Sequence, residues 1–333
     1  ALDFRLLNDA QRDFPLCERP FLSIAQTLES DEDEVLTRLR ALQSGGAVSR
    51  VGAVFRPGSV GASTLVAIAA PPRRLDAVAD IVSSFAEVNH NYEREHSFNL
   101  WFVLTAADET HLQRTLQAIG SATGLPVMSL PLLREYRIDL GFDLADGNQA
   151  PPSALCSVPN SERASKKPVL LPPDIPLVAA LQSGLALVAR PYAEVAHRAG
   201  LTAEIVRERI SGMIEQRVIK RFGVIVRHRN LGFIANAMVV FDVPDAQVDR
   251  LGEAVADSGL ASLCYRRVRS ARAWPYNLFC MIHSRSRRDA LLRLGELRRR
   301  CGLAAYQYSV LFSRQCYKQR GAQYVPTPAL AYG

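Results

Sequence analysis

No stretch of this 333-residue chain reaches the roughly 18 consecutive apolar residues that a bilayer-spanning helix needs. No membrane partner is therefore expected, and with no secretion signal at its start the chain is predicted to be soluble and cytoplasmic. Six cysteines (Cys17, Cys156, Cys264, Cys280, Cys301, Cys316) are scattered without a Cys-x-x-Cys or other ligand spacing, which argues against zinc and for free thiols in a reducing compartment. A strong charge bias is missing too: 40 Lys and Arg stand against 33 Asp and Glu, a formal charge of +7. That balance hints at an anionic partner without choosing between nucleic acid, a membrane surface and a small polyacid. Tryptophan is scarce, with two residues, Trp101 and Trp274. What the chain does have is 48% hydrophobic residues, enough to bury the cores of two or three domains.

The sequence is written twice. Arg19-Pro20-Phe21 recurs as Arg190-Pro191-Tyr192, 171 positions later, and the same offset carries Leu39 to Ile210, Leu42 to Met213 and Arg50-Val51-Gly52 to Arg221-Phe222-Gly223. Farther on, Asn99-Leu100 recurs as Asn277-Leu278 and Gly124-Leu125 as Gly302-Leu303, now 178 positions apart, so the second copy carries about seven extra residues in its middle. Residues 145–173, rich in Pro, Ser, Asn and Lys and without periodicity, form the expected linker.

Each copy predicts the same order of elements. Leu22, Ala25 and Leu28 lie on one helical stripe and Val35, Leu39 and Leu42 on a second, ended by Gly45-Gly46. Asp31 with Glu34 forms a capping-box pattern, and Thr202 takes the matching position in the second copy. Residues 47–56 predict a small wing-like ribbon, residues 64–70 a strand, and Leu75, Val78, Val82 and Phe85 an amphipathic helix. A strand hairpin, a further helix at 112–119 and a last strand at 127–133 complete the unit. The expected fold class is α+β, a tandem duplication in which each half is a winged helix-turn-helix followed by a ferredoxin-like βαββαβ domain. The boundaries follow as 1–60, 61–144, linker 145–173, 174–232 and 233–325.

Residues 88–101, Val-Asn-His-Asn-Tyr-Glu-Arg-Glu-His-Ser-Phe-Asn-Leu-Trp, carry the chemistry. As a strand they alternate, so His90, Tyr92, Arg94 and His96 share one face, and Asn89, Asn91, Glu93 and Glu95 the other. Two imidazoles, a phenol and a guanidinium form either a solvated sheet face or a wall that holds an anion and moves protons beside it. Two of the six histidines within four side-chain steps favour the second. The matching strand of the second copy gives Leu263, Tyr265, Arg267 and Arg269, followed by Trp274-Pro275-Tyr276-Asn277-Leu278. The copies agree on Tyr and Arg and differ where the histidines stood. Arg266, Arg267, Arg269 and Arg272 could form a solvated basic edge, but arginine binds carboxylates bidentately, and a carboxylate-gripping wall is the preferred reading.

The helix-turn-helix and the segment from Leu36 to Gly52, with its spaced Leu, Gly and Arg-x-Gly, resemble the Lrp/AsnC family of transcriptional regulators. That resemblance implies a ligand-responsive DNA-binding protein. The recognition helix argues against it, because its start, Glu29-Ser30-Asp31-Glu32-Asp33-Glu34, puts five carboxylates where phosphates must approach. Nucleic acid is therefore not the expected partner, and the helical units are expected to serve folding and dimer packing.

The paired strings, His-Asn-Tyr-x-Arg-Glu with Phe-Asn-Leu-Trp and Cys-Tyr-Arg-Arg with Trp-Pro-Tyr-Asn-Leu-Phe-x-Met-Ile-His, resemble the siroheme decarboxylases, in the fused form of that family. The resemblance implies removal of two acetate carboxyls from siroheme to give 12,18-didecarboxysiroheme, on the routes to heme d1 and to the alternative heme pathway. It implies no cofactor beyond the iron tetrapyrrole itself. A flat macrocycle ringed with carboxylates needs an apolar slot rimmed by arginines. Phe98, Trp101, Trp274, Tyr276 and Phe279 could line it, with Asn99 and Asn277 among the substrate contacts. Arg94, Arg266 and Arg267 would hold carboxylates that do not react. His90 or His96 would deliver the proton, or one of them ligate the substrate iron, with Tyr92 and Tyr265 orienting the group. His283, at the end of the second string, is a weaker candidate or a packing residue. Because Leu263 stands where the first half has His90, one working site per internal pseudo-dimer is expected; the fused chain could also pair as a homodimer.

Overall fold

The computed structural model describes residues 2–138, 170, 172–270 and 273–324. The expected linker at 145–173 falls almost wholly outside them, as does Arg272. The chain forms two compact units, and each draws on both sequence copies. The first combines Ala1–Ala62 with Gly141–Leu231 and Gln323–Gly333, the second Ser63–Leu140 with Gly232–Ala322. No helix among the described residues is long and apolar enough to cross a membrane.

In the helical unit the first copy gives α1 (Leu2–Asp9), α2 (Pro20–Leu28), α3 (Glu32–Ser44) and the strand β1 (Val48–Phe55). Pro20 starts α2, where its missing N–H costs nothing. The buried stripe of that helix is Phe21, Ile24, Ala25 and Leu28, so Leu22 is not its centre. Asp31 caps α3 by accepting the Glu34 N–H at 2.7 Å, while the Glu34 carboxylate accepts from Ser30 Oγ rather than closing a reciprocal box. Of the acidic run, Glu32 is buried and ion-paired with Arg19.

The wing differs from the expected ribbon. Each copy supplies one strand only, and β1 pairs with its counterpart of the second copy, β6 (Ile219–Val226), in an antiparallel two-stranded sheet. The repeated Arg-x-Gly motif explains the partnership, since Gly52 lies directly opposite Gly223. A Cβ on Gly223 would lie 2.5 Å from the backbone of Gln11, so a side chain there would push the strand off its neighbour.

The sheet unit follows the expected βαββαβ order twice. The first copy gives β2 (Ala62–Ile68), α4 (Leu75–Ser84), β3 (Val88–Arg94), β4 (Leu100–Ala106), α5 (Glu109–Thr123) and β5 (Met128–Ile138). In the second copy α6 (Ile175–Leu181), α7 (Pro191–Ala199), α8 (Ala203–Glu215) and β6 (Ile219–Val226) belong to the helical unit. Then come β7 (Ala235–Phe241), α9 (Val248–Ser258), β8 (Leu263–Arg267), β9 (Leu278–Ser284), α10 (Arg287–Arg300) and β10 (Tyr308–Gln319). The two four-stranded sheets do not stand apart. They close into one eight-stranded barrel in the order β10-β3-β4-β2-β5-β8-β9-β7. The joins are exchanged last strands: β5 of the first copy pairs with β8, and β10 of the second pairs with β3. Both last strands are long enough, at 11 and 12 residues, to serve their own sheet and the other.

Strand alternation then sorts side chains into two cores. On β7, Ala237, Val239 and Phe241 pack under α9 and α10 with Leu251, Leu294 and Leu297. The alternate residues Met238 and Val240 meet Ala67, Trp101, Leu130, Phe279 and Leu311, drawn from β2, β4, β5, β9 and β10, and so fill the inside of the barrel.

Candidate active site

Strand β3 forms one wall of the barrel interior. Its asparagines turn away: Asn91 donates to Ala79 O and Ser83 Oγ on α4, at 3.1 and 3.0 Å. Glu93 and Glu95 also leave the interior face, paired with Arg314 and, bidentately at 2.7 Å, with Arg287. Tyr92 lies opposite Trp101, which places it inside. The His90 ring stacks on Tyr92 with centroids 6.2 Å apart, and the Arg94 guanidinium lies 5.7 Å from the Tyr92 centroid. His90, Tyr92 and Arg94 thus form one continuous surface, as their spacing predicts. Arg94 is 7% exposed, and its Nη1 donates to Leu311 O at 3.1 Å.

His96 does not extend that strip. It lies beyond the strand end, where its Nδ1 accepts the Phe98 N–H at 3.0 Å, so the neutral ring carries its proton on Nε2. Its ring stands edge-on to Trp274 with centroids 5.2 Å apart, and burial draws its pKa down. Trp274 is the hub of this region, touching Phe98, Trp101, Tyr276 and Phe279 as well, with ring centroids between 4.9 and 6.3 Å. It is 1% exposed, and its Nε1–H has no partner, whereas Trp101 Nε1 donates to Phe98 O. The aromatic residues expected to line a slot are therefore packed on one another inside the barrel.

Strand β8 repeats the arrangement without the imidazole. Tyr265 lies opposite Phe279, and the Arg267 guanidinium stands 5.2 Å from one ring and 5.9 Å from the other. Arg267 Nη1 donates to Leu130 O at 2.9 Å, and its Nε is buried without a partner. Burial pulls its pKa down to about 10, opposed only by Tyr265, and pushes the Tyr265 phenol up. No carboxylate answers this cation among the described residues. A buried guanidinium so placed is costly unless an anion reaches it.

Three predicted substrate contacts lie elsewhere. Arg266 points to the helix side, 3.4 Å from Asp249 and 3.5 Å from Asp245, as its alternation with Arg267 dictates. Asn99 spends its amide on the N–H and C=O of Ala70, both at 2.9 Å, and Asn277 does the same to Val243 at 3.1 and 2.9 Å. The repeated Asn-Leu is thus a clamp tying each hairpin to the end of the first strand of its sheet. Arg269 is likewise engaged, with Asp242 and the Val243 carbonyl.

Residues 3–48 and 174–220 match the family model described as siroheme decarboxylase NirDL-like HTH domain, and residues 59–137 and 230–318 the AsnC-like ligand binding domain. A siroheme decarboxylase NirDL subunit of Paracoccus denitrificans (strain Pd 1222) is 44% identical over 321 residues, 96% of each chain. The chain belongs to the siroheme decarboxylase family. A NirD subunit of Pseudomonas aeruginosa is 52% identical over 143 residues, covering 95% of that subunit and 43% of this chain. A crystal structure of the siroheme decarboxylase NirDL in co-complex with an iron-uroporphyrin III analogue superposes with a TM-score of 0.67 at 26% identity, covering 97% of this chain and 93% of that one. The carbonyls that grip the two arginines, Leu311 and Leu130, escaped sequence reasoning because a backbone group leaves no signature in residue type. The strand exchange that delivers them left no signal either, because the sequence reading ends the first copy's last strand at residue 133, short of its observed end at Ile138.

Proposed function

We propose that this protein decarboxylates siroheme, removing two acetate carboxyls to give 12,18-didecarboxysiroheme on a route to heme d1. The observation that carries the reading is Arg267, a largely buried cation that no carboxylate answers among the described residues, facing the interior of the barrel that also holds Arg94 and His90. A polyacidic macrocycle supplies the missing anions. In this reading Arg94 and Arg267 hold its carboxylates, and Tyr92 and Tyr265 orient the reacting group. The Trp274 Nε1–H is a further donor, and the rings packed around it part to admit the flat substrate. Each step breaks the bond between a methylene and its carboxylate, releases CO2, and places a proton on the carbon that keeps the electron pair. The reaction is redox-neutral, and no cofactor beyond the substrate's own iron macrocycle is invoked.

His90, against Tyr92, is positioned to give that proton, with His96 as the other imidazole of the hairpin; either could instead ligate the substrate iron. The helical unit serves dimer packing of the two copies through the β1–β6 sheet, and the acidic start of α3 makes it a poor phosphate surface. The protein is expected in the cytoplasm. Titrating the purified chain with siroheme in the absence of oxygen tests the reading. Tight binding followed by a slow spectral change to a less carboxylated product supports it, and a stable, unaltered spectrum at saturation reduces the protein to a carrier.

A further inference from the structure

Resting on that reading, we propose that His283 is the proton source for one of the two decarboxylations, held by Ser262 at the Arg94 end of the barrel interior. On β9 the residues Leu278, Cys280 and Ile282 belong to the core beneath the helices, whereas Phe279 and Met281 pack inside. His283 continues the inner set. It lies opposite Asn236 of β7, two residues from Met238, and Met238 lies opposite Leu311 of β10, whose carbonyl holds Arg94. Strands β9, β7, β10 and β3 are successive neighbours, so this route crosses from His283 to Arg94 along one end of the barrel wall.

The hydrogen bonds define the state of the ring. Ser262 Oγ lies 3.0 Å from Met281 O and 2.7 Å from His283 Nδ1; with its hydrogen given to the carbonyl, the hydroxyl accepts from an Nδ1–H. In that tautomer the proton of the neutral imidazole is on Nδ1, and Nε2 is the basic nitrogen. Burial, with Arg94 on β3 and Arg293 on α10 as the charges that face it, lowers its pKa to about 4, so Nε2 is unprotonated at rest. Beside it the Oδ1 of Asn236 is buried without a hydrogen-bond partner, an acceptor waiting for a donor. A substrate carboxylate bound at Arg94 offsets the positive field and lets Nε2 take up a proton. That proton then passes to the methylene carbon as CO2 departs, and solvent recharges the ring. Two carboxyls are lost and two protons consumed. His90 on one wall and His283 on another would each serve one acetate.

The variant His283→Gln keeps a polar side chain of similar size and removes the titrating ring. Wild type, this variant and Ser262→Ala are compared for melting temperature, affinity for iron uroporphyrin III, proton uptake on that binding in weak buffer, and product mass after anaerobic incubation with siroheme. The expected result for His283→Gln is a wild-type melting curve, affinity within about 3-fold, no proton uptake, and accumulation of a product lacking a single carboxyl. The second step should slow by about 10²–10⁴-fold. Doubly decarboxylated product at the wild-type rate, or unaltered proton uptake, overturns the proposal. Should His283→Gln fail to fold, Ser262→Ala decides: it must displace the pH dependence of the second step, and an unchanged profile overturns the proposal equally. Wild-type protein that binds the porphyrin and leaves siroheme intact defeats the decarboxylase reading, and the proposal with it.

Discussion

Arg267 reaches Leu130 O at 2.9 Å across the join between the two sequence copies, as Arg94 reaches Leu311 O at 3.1 Å across the other. Each arginine is held by a strand that the opposite copy donates. The duplication thus builds two related cationic walls inside one barrel, and only the first carries an imidazole beside its tyrosine.

Replacing Arg267 by Met should weaken binding of iron uroporphyrin III by about 10- to 150-fold, the range for a lost charged hydrogen bond of about 1.5–3 kcal/mol. Stability should hold or rise, because the change removes a largely buried cation that no carboxylate among the described residues answers. A spectral titration alongside a melting curve checks both; a loss of stability with unchanged affinity would make Arg267 purely structural.

Asn99→Ala and Asn277→Ala should act the opposite way. Each strips two hydrogen bonds from a backbone strap, costing about 1–3 kcal/mol of stability, while the folded fraction binds porphyrin as wild type does. Denaturant unfolding with titration of the refolded protein separates the two effects.

These asparagines show where sequence reasoning reached and where it stopped. Period-two alternation put His90, Tyr92 and Arg94 on one face, and the structure keeps them together, because a strand leaves a side chain only two directions. The same rule sends Arg266 to the helices, although its neighbour Arg267 made it look like part of the wall. Asn99 and Asn277 entered as substrate contacts through the family resemblance, but a recurrent residue at a hairpin base is as well explained by a backbone strap. The exchanged strands were out of reach, since pairing between copies depends on register rather than composition.

The exchange has a direct test in Gly252 of α9. The Tyr136 ring of β5 lies against it, pinned by Asp249, so that an added Cβ would stand 2.2 Å from a ring carbon. Gly252→Ala should cost about 1–3 kcal/mol by overpacking, and Tyr136→Leu in the same chain should recover part of it. Additive losses in a double-mutant cycle would speak against the contact.

Acid should weaken the fold through His283. Its folded pKa, near 4, lies below the ordinary imidazole value of 6.5, so between those values the unfolded chain binds a proton that the folded one refuses. Stability is whole above about pH 6.5 and falls as pH drops towards 4, by at most about 1.4 kcal/mol per unit from this group. His283→Gln should flatten that slope relative to wild type in urea unfolding at pH 7, 6 and 5; identical slopes would contradict a neutral buried ring.

The most direct measurement is the mass of the tetrapyrrole recovered after wild-type protein and the His90→Ala/His96→Ala double variant are incubated with siroheme without oxygen. The account predicts loss of two carboxyls with wild type and a rate of doubly decarboxylated product about 10²–10⁴-fold lower in the double variant. Equal yields of that product from both proteins would contradict it.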